Sequence, residues 1–279
     1  MTNTREIKFE SPTFAQRIKG MLGVDFYRLF HTPLFYIYLA IAAIIPAMVS
    51  AMTTMTDPNG QAIELYSNVW QIIASQKTLY VIETIADYAN MNMVFIFGGI
   101  MVSIFIGNDY RSGYVKQLFT THSEKMDYMI SKSLSCAFAM ACMCITYLIG
   151  GTVGGLLVGY ETSVDIGSLI IAILGKMVMS LGWASLYTFL NVIFRRYFGV
   201  SIASSFFFGT GILIIGVAAV VKNLGIPTDI LNIFLYGASV NANLSSGIID
   251  LIVCVVVSIS WSVIYNVAGM SILNKCDVY

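Results

Sequence analysis

The chain has 279 residues, of which 57% are hydrophobic and only 11% charged, and its mean hydropathy is +0.79. Soluble domains carry about 25% charged residues, so these figures exclude a water-soluble globular protein and point to an integral membrane protein. Fifteen Lys and Arg balance fifteen Asp and Glu, so net charge names no partner and only the placement of charge is informative.

The first 32 residues are charged almost throughout, and no small-residue cleavage site follows a short apolar core, so no secretory signal peptide is expected. Within them Phe14, Ile18, Met21, Leu22, Phe26, Leu29 and Phe30 recur at helical spacing, with Arg17, Lys19 and Arg28 among the other positions. This pattern predicts an interfacial helix, apolar side down and cationic side toward anionic headgroups. Ser11 and Pro12 suit its start, and Thr32-Pro33 suits the break before the first span. Such a helix is either a membrane anchor or an elbow that passes motion into the first span.

A hydrocarbon core of about 30 Å needs roughly 20 apolar residues per helix. Six stretches qualify, at about 34–55, 90–107, 133–159, 167–194, 200–221 and 248–273. Two further apolar segments, 65–74 and 230–236, are too short to cross and read as interfacial or re-entrant helices. The fold class expected is therefore all-α, a single transmembrane domain spanning 1–279.

Orientation follows from Lys and Arg. With the N-terminus inside, the cytoplasmic segments hold the basic residues before Pro33, then Arg111, Lys116, Lys125, Lys132, Arg195, Arg196 and Lys275. Only Lys77 and Lys222 fall outside, where Asp57, Glu64, Glu83, Asp87, Glu161, Asp165 and Asp229 also lie. Both termini are thus expected in the cytoplasm.

Residues 107–132 form a polar island between two apolar runs. In it Tyr114, Val115, Leu118 and Phe119 fall at i, i+1, i+4 and i+5, the apolar face of a short helix, and Gly113 supplies a permissive turn before it. Arg111, Lys116 and Lys125 surround that face with positive charge. An apolar anchor with a charged rim suits docking of a partner protein. The positive-inside rule alone accounts for the charges but not for the apolar face.

Chemistry is sparse elsewhere. Gly175-Lys176 is followed by Met177, so no Gly-x-x-x-x-Gly-Lys-[Ser/Thr] phosphate loop is present. There is no His-Glu-x-x-His, and the two histidines, His31 and His122, are far apart in sequence. Cys136, Cys142, Cys144, Cys254 and Cys276 lack C-x-x-C spacing and read as small thiols in or beside apolar runs, with no metal site. Lys176 sits about ten residues into the fourth span, where a lysine costs several kcal/mol unless it faces water or a partner. It either lines a cavity or holds a subunit contact with an acid or a helix C-terminus, or else it snorkels along a tilted helix. Asp250 suits the start of the last span. Gly151, Gly155 and Gly159 form a small-xxx-small stripe for close helix packing, and Tyr66, Trp70, Tyr80, Tyr160, Tyr236 and Trp261 read mainly as an outer aromatic belt.

Three places resemble the small six-span permease subunits of the type-2 ABC transporter family. One is Asp25-Phe26-Tyr27-Arg28-Leu29-Phe30 leading into the first span. A second is Asp109-Tyr110-Arg111-Ser112-Gly113 with Lys116, Lys125 and Ser131-Lys132, similar to the family's acidic-x-x-x-Gly-Thr-x-Lys segment and its following basic residue. Here Tyr114 stands where Thr is usual and Lys125 where Arg is common. The third is a polar outer segment of about 27 residues, one last span, and the tail Lys275-Cys276-Asp277-Val278. The resemblance covers essentially the whole chain as a pattern.

It implies two permease chains, identical or related, bound to two cytoplasmic ATPase subunits, which would hold the ATP and Mg; this chain itself needs no cofactor. The ATPase-coupling residues would be Asp109, Arg111, Gly113, Tyr114, Lys116, Leu118, Phe119 and Lys125 on a coupling helix, with 226–247 as an outer re-entrant pair. The function expected is ATP-driven outward transport of an amphipathic or hydrophobic cargo, best matched by an antimicrobial, lantibiotic-type peptide in export or immunity. The alternatives are an ABC-coupled sensor or a lipid- or drug-handling complex that moves no peptide. A membrane enzyme would need a catalytic constellation that the sequence lacks.

Overall fold

A computed structural model describes residues 12–52, 70, 74, 90–120, 124–160 and 165–275. Among them the protein is all α-helical, with no strand. The helices are α1 (Phe14–His31), α2 (Pro33–Met52), α3 (Met93–Arg111), α4 (Tyr114–Thr120), α5 (Lys125–Val158), α6 (Ile166–Ile193), α7 (Phe198–Gly209), α8 (Ile212–Asn223), α9 (Leu235–Asn241) and α10 (Ile248–Lys275), with a 3-10 turn at Thr228–Ile233 before α9. Five helical stretches are long and apolar enough to cross a membrane, with α7 and α8 together forming one, and the bent α1–α2 pair makes up to six. The chain is a multi-pass membrane protein.

Thr32 makes the break between α1 and α2. Its amide turns back to the Leu29 carbonyl and its hydroxyl donates to the Arg28 carbonyl at 2.6 Å. Pro33, which has no amide to donate, then opens α2, and the two helices are bent by 65°. Leu29 and Asp25 of α1 are buried, while Phe14 and Phe30, expected on its apolar side, are exposed. Glycines Gly150 and Gly154 of α5 admit α2, because a Cβ on either would run into the backbone of Ala43 or Ala47. The close approach thus comes one position before the expected Gly151–Gly155–Gly159 stripe. Gly159 has a different task, ending α5 in a left-handed conformation at φ 93°.

α6 is the hub, touching α3, α5, α7, α9 and α10. Two polar ladders pin it in the apolar interior. On one side Asn191 Nδ2 donates to Ser103 Oγ, Ser201 Oγ donates to Asn191 Oδ1, and Ser103 Oγ donates to Ser205 Oγ. On the other, Asn266 of α10 joins Ser133 and Ser185, Ser185 bonds Ser262, and Ser258 links Gly182 to Val178. Interhelical bonds of this kind are worth on the order of 0.6–2 kcal/mol each in lipid.

The fifth predicted span differs from expectation. A single helix over 200–221 is replaced by α7 and α8, broken at Thr210-Gly211. Gly211 takes φ +67°, and the ring of Tyr236 lies where its Cβ would be, so the break needs glycine twice over. The predicted short helix at 230–236 is also divided, by extended backbone at Phe234, into the 3-10 turn and α9. Leu235–Val240 are all buried, so α9 lies within the bundle and not along its surface. The expected segment at 65–74 lies outside the described residues except for Trp70 and Ala74. Of these, Trp70 Nε1 donates to Thr152 Oγ1 at 3.2 Å and Ala74 O accepts from the Leu244 amide at 3.3 Å.

Candidate functional site

The described Lys and Arg, apart from Lys176 and Lys222, gather at one end of the bundle, where α1, the C-terminus of α3, α4 and the N-terminus of α5 meet. α3 runs about one turn past the apolar stretch, so Asp109 lies within the helix and not in a loop. Ser112 and Gly113 turn the chain, Gly113 at φ 74°, with its amide donating to the Tyr110 carbonyl. α4 follows at once, its Gln117 amide closing onto the Gly113 carbonyl.

The apolar face of α4 is directed inward. Val115 is buried in a cluster with Tyr128, Met129, Val192 and Leu273, and Leu118, Phe119 and Met21 pack against it half-buried. Phe119 meets the Tyr128 ring edge-on at 5.7 Å. Tyr114 is half-buried beneath the Arg28 guanidinium, 4.3 Å from its centroid. The outer side of α4 presents Lys116 and Gln117, continued by Arg111, whose guanidinium lies 5.2 Å from the Phe198 ring.

Under α4 is a buried ionic cluster. Lys132 Nζ is 2.5 Å from Asp25 Oδ1 and 2.7 Å from Asp109 Oδ2, with all three side chains almost wholly buried. Arg28 pairs with the other oxygen of Asp109, and Ser131 Oγ donates to Asp25 Oδ2 at 2.6 Å. Two cations therefore balance two carboxylates, and the ring of Phe105 lies 4.7 Å from the Lys132 ammonium. Burial disfavours the Arg28 cation, but the hydrogen bond and charge of Asp109 outweigh it and hold the guanidinium above its ordinary pKa. A second pair ties the start of α1 to the start of α5: Arg17 Nε donates to Asp127 Oδ2 at 2.7 Å, and Arg17 Nη2 reaches Glu124 at 2.8 Å. Lys125 Nζ donates to the Leu273 carbonyl at 2.6 Å, a cation at the C-terminal end of α10 where the helix dipole favours it.

Of the residues singled out from sequence, Asp109 points into the cluster. Gly113 and Tyr114 form its lid, Leu118 and Phe119 edge the apolar cluster beside it, and Lys125 caps α10. Arg111 and Lys116 face outward from the same corner. The sequence pattern carries Asp25 and Arg28, but their partners, Lys132 and Asp109, were not expected, and neither was the Arg17–Asp127 pair. The signal available was the acids Asp25, Asp109 and Asp127 standing among the basic residues of these segments.

Lys176 lies in the other half of the molecule. It is 3% exposed, so the snorkelling alternative does not hold. Its ammonium donates to Asn92 Oδ1 at 2.5 Å and to the Ser239 carbonyl in α9. Among the described residues no group of three or more His, Cys, Asp or Glu is arranged to hold a metal ion; His122 lies outside them. The basic end can bind helices to one another and offer a charged rim, and its buried acids and bases are occupied with one another. No family model matches the chain, and no curated protein matches it.

Proposed function

We propose that this chain is the permease subunit of an ATP-driven exporter of the type-2 ABC kind. In this reading the basic end is cytoplasmic, ATP is hydrolysed on separate ATPase subunits that dock at the Arg111–Lys116 side of α4, and a second permease chain, identical or related, completes the pathway. The observation that carries it is the clamp. The buried Asp25–Lys132–Asp109–Arg28 cluster clamps the amphipathic α1 to α3 and α5, and the short helix between those two spans rests on it through Tyr114 beneath Arg28 and through Val115. A push on α4 is therefore delivered to α1, α3 and α5 together. The placement of Lys and Arg at that end agrees with the positive-inside rule.

The cargo class follows from composition. Spans with few ionisable groups, and a chain with 17 Phe, 16 Tyr and 15 Met, suit an amphipathic or apolar cargo, since Met surfaces adapt to varied shapes. Within that class the resemblance to small permeases of the type-2 ABC family favours an antimicrobial, lantibiotic-type peptide.

Arg111→Glu with Lys116→Glu is the test, because it reverses the outward charges and leaves the inward apolar face of α4 intact. Co-purification of the partner ATPase should be lost while membrane insertion persists; retained co-purification refutes the docking assignment. Vesicles holding the whole complex should lose a labelled cationic peptide when ATP is supplied. ATPase stimulation without peptide movement would favour the sensor reading instead.

A further inference from the structure

The chemistry of Lys176 is unusual for a buried lysine, because its bonded partners are neutral. One is the side-chain amide of Asn92, at the N-cap of α3; the other is a main-chain carbonyl in the last turns of α9. Among the described residues no carboxylate is paired with it. Its partners are 84 and 63 residues away along the chain, so one ammonium joins three elements that are distant in sequence.

Ser239 needs such a donor. α9 ends at Asn241, and the Asn243 amide, which would complete the helical bond to the Ser239 carbonyl, turns instead to the Asn241 carbonyl at 3.0 Å and to Ser246 Oγ at 2.8 Å. The carbonyl left over is buried, and an unpaired buried carbonyl is costly. Other contacts between α9 and the bundle are close but largely undirected. Leu235 sits against Gly182 and the neighbouring Ala242 against Gly175, where a Cβ would collide, while Cys254 Sγ gives the Ala238 carbonyl a weak bond at 3.4 Å. Van der Waals contacts of this sort set position, whereas a charge-assisted hydrogen bond resists withdrawal.

We infer that Lys176 is an intramembrane latch, whose ammonium holds the re-entrant segment around α9 to α6 and to the entry of α3 at the end of the molecule opposite the basic cluster. Moving that segment outward requires the latch to break. The energetics distinguish a latch from a general brace. A buried ammonium without a carboxylate carries an uncompensated desolvation cost, so an apolar chain of similar length should relieve the bundle while releasing α9. A brace would weaken everything when removed.

The test is hydrogen exchange on the full chain in lipid nanodiscs, wild type against Lys176→Met, with no ATPase present so that the outcome is independent of the transport reading. Amides of residues 235–241 should exchange faster by roughly ten-fold or more, the loss set by one charge-assisted bond. The thermal midpoint should stay equal or rise. Ser185→Ala, which cuts the α6–α10 ladder, provides the contrast: it should lower the midpoint without selectively exposing α9. Unchanged exchange at 235–241 in Lys176→Met overturns the latch. So does a loosening spread evenly over the bundle, or failure of Lys176→Met to insert and fold, since the reasoning requires an apolar chain to be tolerated there.

Discussion

Lys132→Met is the perturbation that most directly examines the ionic cluster. It removes the ammonium 2.5 Å from Asp25 and 2.7 Å from Asp109, leaving two buried carboxylates with Arg28 as their one remaining cation. Removing one partner of a buried pair costs about 3–5 kcal/mol, and the upper half of that range is expected because Asp25 and Asp109 are both almost wholly buried. Asp25→Asn alone should cost less, about 1.5–3 kcal/mol, the value of a hydrogen bond to a charged group. Lys132 then keeps Asp109, and the excess positive charge rests partly on Arg28, which retains some exposure. The double variant restores neutrality through Arg28 and Asp109, so it should be more stable than Lys132→Met despite carrying an additional change. The interaction energy should be about 2–3 kcal/mol. Reversible unfolding by SDS in mixed micelles would measure it, with fluorescence of the buried Trp183 reporting the transition. Additivity of the two single variants would refute the claim that these charges act as one neutral unit.

Two local predictions accompany it. Gly150→Leu or Gly154→Leu should destabilise by about 1–3 kcal/mol or more, because α2 backbone already occupies the space beyond each hydrogen. Gly20→Ala or Gly23→Ala in α1, where nothing lies within 4 Å, should instead stabilise by about 0.5–1 kcal/mol; the same unfolding assay reads both, and equal effects would contradict the packing described for α2 and α5. Asp165 caps α6 through the Ser168 hydroxyl and the Gly167 and Ser168 amides, bonds that depress its carboxyl pKa. Its contribution is therefore complete above the unfolded value of about 3.9 and is lost as pH falls through the lower folded value. The difference in first-turn hydrogen exchange between wild type and Asp165→Ala should narrow in that acid window, and a difference that persisted there would count against a charged cap.

Much of this architecture was legible because membranes impose a simple grammar. Long apolar runs had to be helices, and their limits agree with α2, α3, α5, α6 and α10 to within a few residues at most ends. Thr32-Pro33 marked a real bend. The α7–α8 break was not legible, since hydropathy stays high through Thr210-Gly211 and the ring that leaves no room for a Cβ at Gly211 belongs to Tyr236, a residue 25 positions further on. Glycine in an apolar run signals close approach or freedom of backbone, and sequence alone does not say which.

The island at 107–132 shows a subtler limit. Its helical periodicity correctly assigned one apolar face to Tyr114, Val115, Leu118 and Phe119, yet periodicity states only that a face is apolar, never what covers it. The expectation gave that face to a partner; in the fold, Tyr128, Met129, Val192 and Leu273 of this chain cover most of it. The charges followed the same rule. Asp109 and Lys132 were noticed as part of a polar segment, but each is satisfied by α1, at Arg28 and Asp25, 81 and 107 residues earlier. What remains on the outside, Arg111 and Lys116, is smaller than the sequence implied. In the proposed reading a partner docking there would meet mainly a charged rim, while the apolar contacts beneath fix α4 to the helices it rests on.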